Sequence, residues 1–322
     1  MLDAYGLAPV EAPRVWAGRV LRVPTATGDL AVKLFPAAEQ HRARLEAALL
    51  AHLGAVSDPR YRVQTPLATS DGQPLFDGED GLVLLTRWEP GAYKPYTEIS
   101  ADEWAALGRS LGALHARLDQ AAGIALPARL SGIIRGRDLD AERATLERHR
   151  AAAVAKEPAR AEALSHYFDA RRLLLDERAE RCRAQLPADP ERPIHNDYNQ
   201  YNYLFRDAGP PLILDWERAI GAPREYEVVR CLNQLPLVAP ELARRFIAGY
   251  LEARPLGAAQ LVWAVDAALT EHAVKHWPID AWLAGAPDAD ARLAATLETV
   301  ETVAAGRAAL DWFFHEIAGT LG

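Results

Sequence analysis

The chain has 322 residues, half of them hydrophobic and a quarter charged, and 36 Lys plus Arg against 44 Asp plus Glu give a net charge of −8. That composition excludes wholesale disorder and leaves material for one large or two ordinary domains. An acidic balance argues against non-specific nucleic-acid binding, which needs cationic side chains, and suits a small-molecule partner, a cationic one included.

Cys182 and Cys231 are the only cysteines. They can build neither a disulfide framework nor a cysteine-rich zinc site, so a reducing, cytoplasmic setting is expected. The opening MLDAYGLAPVEAPR has no apolar run behind a basic start and reads as no secretory signal. The most apolar helical stretch, around residues 260–270, carries Asp266 and is too short to span a bilayer. Neither a membrane nor a nucleic acid is an expected partner.

In chain order, Arg19–Pro24 and Leu30–Phe35 flank a Gly-Asp turn and predict a hairpin. A helix is expected over Ala38–Leu53, stopped by Gly54. A turn at Thr69-Ser70-Asp71-Gly72 separates two strand candidates, and Leu82–Arg87 is a short apolar strand. Ser100 and Glu103 form a capping box that opens a helix with Trp104, Leu107, Leu111, Leu114 and Leu118 at helical spacing. Charged segments from Leu139 to Leu186 predict two helices broken near Glu157-Pro158. Three further helices are expected, at Pro240–Glu252, Ala258–Trp277 and Asp288–Ile317. The organisation expected is a nucleotide-binding N-terminal part over 1–88, a hinge over 89–99 and a helical C-terminal part over 100–322.

One segment carries chemistry: His195-Asn196-Asp197, then Asn202, then the apolar run Leu212-Ile213-Leu214 ending at Asp215. A hairpin there brings three oxygen-bearing side chains together without clustered histidine or cysteine. That set suits a hard cation such as magnesium, bound with substrate phosphates. A carboxylate beside it can take the proton of an attacking hydroxyl. The spacing H-x-D-x-x-x-x-N followed by apolar-D is the kinase arrangement of base and metal-binding residues. Such chemistry also needs a lysine on a strand and a glutamate on a helix. Ala31-Val32-Lys33 supplies the first, with Ala31 and Lys33 on one strand face. Glu46, Leu49, Leu50 and Leu53 fall on one helix stripe, so Glu46 is the expected partner of Lys33, and Glu39 a solvated first-turn acid.

These motifs resemble the aminoglycoside phosphotransferase and choline kinase superfamily, over about Tyr5 to Asn233. The resemblance implies an α+β, bilobal protein-kinase-like fold and transfer of the γ-phosphoryl group of ATP, with Mg2+, to a hydroxyl of a small polar molecule. It implies Asp197 as catalytic base, Asn202 and Asp215 as metal ligands and Lys33 on the α/β phosphates, oriented by Glu46. Ala31 and Leu204 would sandwich adenine, and the segment holding Leu85 and Thr86 would be the hinge. His195 would brace the catalytic loop. Arg224-Glu225-Tyr226-Glu227 stands where the family usually has a bracing aspartate, so Glu227 is the expected substitute. His-Asn-Asp and Asp-Trp-Glu are similar to choline and ethanolamine kinase wording, whereas Tyr5-Gly6-Leu7, Thr27-Gly28 and Ala31-Val32-Lys33 are similar to the spore-coat-associated branch. No G-x-G-x-x-G precedes Lys33; only Ala17-Gly18 is available to cover phosphate. A nucleotide-binding pseudokinase or coat-type interaction protein is therefore the alternative. A protein kinase ranks lower, because no Ala-Pro-Glu follows Asp215.

Several other features have plainer readings. His272 and His276, four apart, read as a polar helix face. Trp277, Trp282, Trp312, Phe313 and Phe314 read as core. Glu217, Glu225, Glu271 and Asp280 read as solvated or structural acids, and the charged stretch from Arg137 to Arg183 as the exposed face of long helices.

Overall fold

The computed structural model describes residues 2–206 and 208–321, which form two compact units. The first joins residues 1–128, 192–221 and 245–255; the second joins 129–191, 222–244 and 256–322. This division by contacts departs from the linear one drawn at residues 88 and 99. The sheet region and the helical segments together make an α+β fold.

The first unit is built on an antiparallel sheet of β1 (Arg14–Ala17), β2 (Val20–Val23), β3 (Leu30–Pro36), β5 (Phe76–Gly78) and β6 (Gly81–Arg87), in the order β1-β2-β3-β6-β5. The β2–β3 hairpin is the expected one; β1 in front of it was not expected. Alternation along β3 sends Val32 into a core with Val23, Leu30, Val83 and Leu85, and turns Ala31 and Lys33 to the other face. Helix α1 (Gln40–Gly54) buries Ala43, Glu46, Leu49, Leu50 and Leu53 and packs on β3 and β6. Strand β4 (Arg62–Val63) runs parallel to β9 (Leu212–Ile213), which pairs antiparallel with β8 (Tyr203–Leu204). β7 (Pro193–Ile194) pairs with β10 (Ile220–Gly221). The two small sheets hold both ends of the segment between His195 and Asp215.

Helix α2 (Ala101–Leu118) starts with the expected capping box, Ser100 and Glu103 each bonding the other's backbone amide. Within this unit α2 meets the stretch 245–251 with glycines at the crossing. A Cβ on Gly108 would run into the Phe246 carbonyl, one on Gly112 into the Tyr250 carbonyl, and one on Gly249 into that of Ala105. Backbone-to-backbone approach of this kind needs residues without side chains.

The second unit is helical: α3 (Leu130–Gly136), α4 (Leu139–Lys156), α5 (Ala161–Ala184), α6 (Arg224–Leu232), α7 (Leu235–Val238), the first half of α8 (Pro240–Leu251), α9 (Ala258–Val274), α10 (Trp277–Leu283), α11 (Ala289–Ala305) and α12 (Arg307–Thr320). α5 packs against α4, α9 and α11. The break between α4 and α5 falls at Pro158, as expected. The single helix expected at Asp288–Ile317 is two. They part at Gly306, where a Cβ would meet the Leu237 side chain at 2.5 Å. The charged stretch is not all surface: Arg171 is fully buried on the Ala273 carbonyl and the Tyr167 hydroxyl, and Arg178 is buried between Asp266 and Asp311. Nor are all five aromatics core. Trp282, Phe313 and Phe314 are buried, but Trp277 and Trp312 are exposed. Among the described residues no helix is long and apolar enough to cross a membrane.

Gly108→Ala should destabilise the protein by about 1–3 kcal/mol, the usual penalty of forcing a methyl group into closed packing. A lower melting temperature in calorimetry checks it.

Candidate active site

A cleft of about 970 Å³ opens within the first unit, lined in part by Ala31, Lys33, Thr86, Asn202, Leu204 and Asp215. Its charged end is built around one ammonium. Lys33 Nζ lies 2.7 Å from Glu46 Oε2, 2.5 Å from Asp215 Oδ1 and 2.9 Å from Glu217 Oε2. Burial pulls the Lys33 pKa down, but the three carboxylates outweigh it and hold it above the usual lysine range. Glu46 is buried, and burial pushes its carboxyl above the usual range despite Lys33. For Asp215 burial works against the charge, yet Lys33 holds it below the usual range. Glu46 Oε1 also accepts the Trp216 amide at 3.3 Å. Helix α1 is thereby tied to the turn that follows Asp215, against which it packs.

The catalytic-loop candidates are held by a second network. Asn202 Nδ2 donates to the Asp197 carbonyl at 2.8 Å and to Asp197 Oδ2 at 3.2 Å, and Asn199 Nδ2 donates to Asp197 Oδ1 at 2.8 Å. The amide of Asn202 thus spends its donors on Asp197, and its Oδ1 is the atom with ligand chemistry. The Leu214 amide donates to the Asn202 carbonyl at 3.0 Å, one residue before Asp215. His195 is fully buried. Its Nδ1 accepts the Asp197 amide at 3.2 Å, and its Nε2 faces the Leu214 carbonyl at 2.8 Å. That is the neutral tautomer with the proton on Nε2, and burial lowers its pKa from the ordinary 6.5. Asn196 and Asp215, on either side of this ring, both have left-handed backbone, at φ 63° and 64°. Asn and Asp tolerate that conformation better than other residues with a Cβ.

A family model described as a phosphotransferase enzyme family matches residues 11–261. The chain belongs to that family. Comparison with curated protein sequences gave no significant match. Among solved structures, an amicoumacin kinase in complex with AMP-PNP and Ca2+ aligns at TM-score 0.66 and 14% identity, over 93% of this chain and 91% of that one. An aminoglycoside phosphotransferase from Alicyclobacillus acidocaldarius aligns at TM-score 0.66 and 15% identity, over 99% and 95%. A microcompartment-associated aminopropanol kinase aligns at 0.60 and 19%, over 96% of each chain. The shared fold is that of protein-kinase-like small-molecule kinases.

In this phosphotransferase most of the residues singled out by sequence stand together. Lys33, Glu46 and Asp215 meet in the cleft, which Asn202, Ala31, Thr86 and Leu204 also line. Asp197 does not line the cleft; it is joined to it through Asn202. The Leu85 side chain is fully buried in the core with Val32, because strand alternation gives the cleft to Leu84 and Thr86, so the hinge role expected of Leu85 falls to its backbone. Glu227 lies buried on α6, in the second unit. Gly91, in the stretch between residues 89 and 99, lines the cleft, where a Cβ would stand 2.5 Å from Leu204 Cγ.

Glu217, Arg19 and Gln64 are among the cleft residues not assigned to the site by sequence. Glu217 is neither solvated nor remote: it is 6% exposed and shared by Lys33 and Arg19. Arg19 and Gln64 also line the cleft, and Gln64 Nε2 donates to Thr86 Oγ1 at 2.9 Å. The Asp-x-Glu spacing was the available signal for Glu217; Arg19 and Gln64 gave none. The other acids have local partners: Glu225 accepts the Gly257 amide, Glu271 pairs with Arg137 and Asp280 with His149. Among the histidines, His276 sits between Arg171 and Glu142 and so makes a structural link.

His195 gives a pH signature. Its folded pKa lies below its unfolded one, so the unfolded chain takes the proton first. Stability then falls as pH drops below about 6.5, by up to about 1.4 kcal/mol per pH unit from this residue. His195→Gln should lower stability overall but flatten its slope between pH 7 and 5, as read by urea denaturation across that range.

Proposed function

We propose that this phosphotransferase moves the γ-phosphoryl group of ATP to a hydroxyl of a small polar molecule, with Mg2+ and with Asp197 as the base that accepts the hydroxyl proton. The observation that carries the reading is the coincidence in one cleft of a lysine–glutamate pair, a strand-end carboxylate and an asparagine bonded to a loop carboxylate. Lys33 binds nucleotide phosphate, and Glu46, locked to it at 2.7 Å, fixes its position. Ala31 and Leu204 offer apolar walls to a flat base, and Glu89-Pro90-Gly91 offers backbone to its edge.

The donor set suits a hard divalent cation: an amide oxygen on Asn202 and the Asp215 carboxylate, with oxygens of Glu46 and Glu217 within 4.8 Å of the latter. Magnesium held by Asn202 and Asp215 would neutralise charge on the β- and γ-phosphate oxygens. His195 bonds both the Asp197 amide and the carbonyl before Asp215, so it keeps base and metal ligand in register. The AMP-PNP and Ca2+ of the amicoumacin kinase, and the amino alcohol acceptor named for the aminopropanol kinase, support the same substrate classes. A cationic hydroxyl compound is the acceptor we favour.

A nucleotide-binding protein without transfer is the second reading, favoured by the two-residue turn that replaces a glycine-rich loop between β1 and β2. A Mg–ATP turnover screen over amino alcohols, aminoglycosides, sugars and hydroxy amino acids separates the two. Transfer to one class is expected, and Asp197→Asn should cut it by about 10²–10⁴-fold while ATP still binds. ATP binding with no transfer to any acceptor would favour the second reading; no nucleotide binding would overturn both.

A further inference from the structure

The β1–β2 turn consists of Gly18 and Arg19, with Gly18 at φ 50°. A positive φ at the first position of so tight a turn is a glycine conformation. The Arg19 carbonyl is occupied by the Leu34 amide at 3.1 Å. A turn this short presents few amides to an anion, where kinases use a long glycine-rich loop over the phosphates.

What the turn presents instead is a side chain. The Arg19 guanidinium lines the cleft and lies 5.3 Å from the centre of the Phe35 ring, which Lys33 Nζ approaches to 5.1 Å. One terminal nitrogen donates to both Glu217 oxygens, at 2.8 and 3.0 Å, and the other donates to Glu39. Lys33 reaches the same Glu217 carboxylate at 2.9 Å. A cation from the turn and a cation from β3 therefore converge on the Glu217 carboxylate, two residues after Asp215.

We infer that Arg19 is a second phosphate-binding cation, which engages the terminal phosphates of the nucleotide alongside Lys33. The inference rests on the nucleotide reading above. Lys33 alone is poorly placed to meet a triphosphate, because its single ammonium is already divided among three carboxylates. A guanidinium has five donors in a fixed fork. Arg19 can keep Glu39 on one arm, which anchors the turn, and offer the other arm and Nε to phosphate oxygens. The Glu217 contact is then the resting position of the arm that phosphate takes over.

Calorimetric titration of ATP, ADP and adenosine into wild type, Arg19→Ala and Arg19→Lys, with magnesium, tests this. A charge-assisted contact to phosphate is worth about tenfold or more in affinity. Arg19→Ala should weaken ATP by at least that factor, ADP by less, and leave adenosine unchanged. Arg19→Lys should recover part of the loss. Equal weakening of all three ligands would mean that Arg19 only shapes the cleft, and unchanged ATP affinity would mean that it does not touch phosphate; either overturns the inference and leaves the nucleotide reading standing. A wild type that binds neither ATP nor adenosine removes that reading, and the inference with it.

Discussion

Lys33 Nζ stands within 2.5–2.9 Å of three carboxylates carried by α1 and by the turn after β9. Three acids this close repel one another and would hold protons if left alone. The ammonium makes the cluster possible, and Arg19 and Arg42 on Glu217 and Glu39 complete the compensation. Lys33, Glu46 and Glu217 are largely buried, so losing Lys33 would strand charge at a cost of about 3–5 kcal/mol, far more than losing a surface pair. Sheet, helix and loop converge on the cluster, and their relative placement depends on its staying paired.

The rest of the site is arranged by ordinary strand and loop geometry. A period of two on β3 and β6 gives Ala31, Lys33, Leu84 and Thr86 to the cleft and Val32, Val83 and Leu85 to the core. A hydrogen-bonded path from the Asp197 amide through His195 to the Leu214 carbonyl, and from the Leu214 amide to Asn202, makes one rigid frame of the loop and the strand. No charged atom in that frame is needed for its rigidity.

Much of this was legible in the sequence wherever a local pattern sets the outcome. Strand alternation put Lys33 beside Ala31, and helix periodicity singled out Glu46 over Glu39, which pairs with Arg19 and Arg42 instead. The capping box fixed the start of α2. What stayed hidden depends on partners distant in the chain. Glu217 meets Arg19 across 198 positions, so no local pattern reveals that its charge is neutralised. The buried Arg171 and Arg178 read as surface because their partners lie on other helices. Trp277 and Trp312 share helical spacing with buried aromatics, and spacing does not say which face is covered.

The first unit is assembled from three separated stretches of chain, the last ending at Pro255. A ribosome therefore finishes the sheet and α1 long before it delivers Asp215, and delivers Asp215 before the glycine-lined partner of α2. During that interval the Lys33 strand exists without two of its three carboxylates, and the face of α2 that meets Phe246 lies open. Closing contacts over such distances is slow, and exposed apolar surface in the meantime invites association. The nascent chain, rather than the finished enzyme, is where this architecture is most vulnerable.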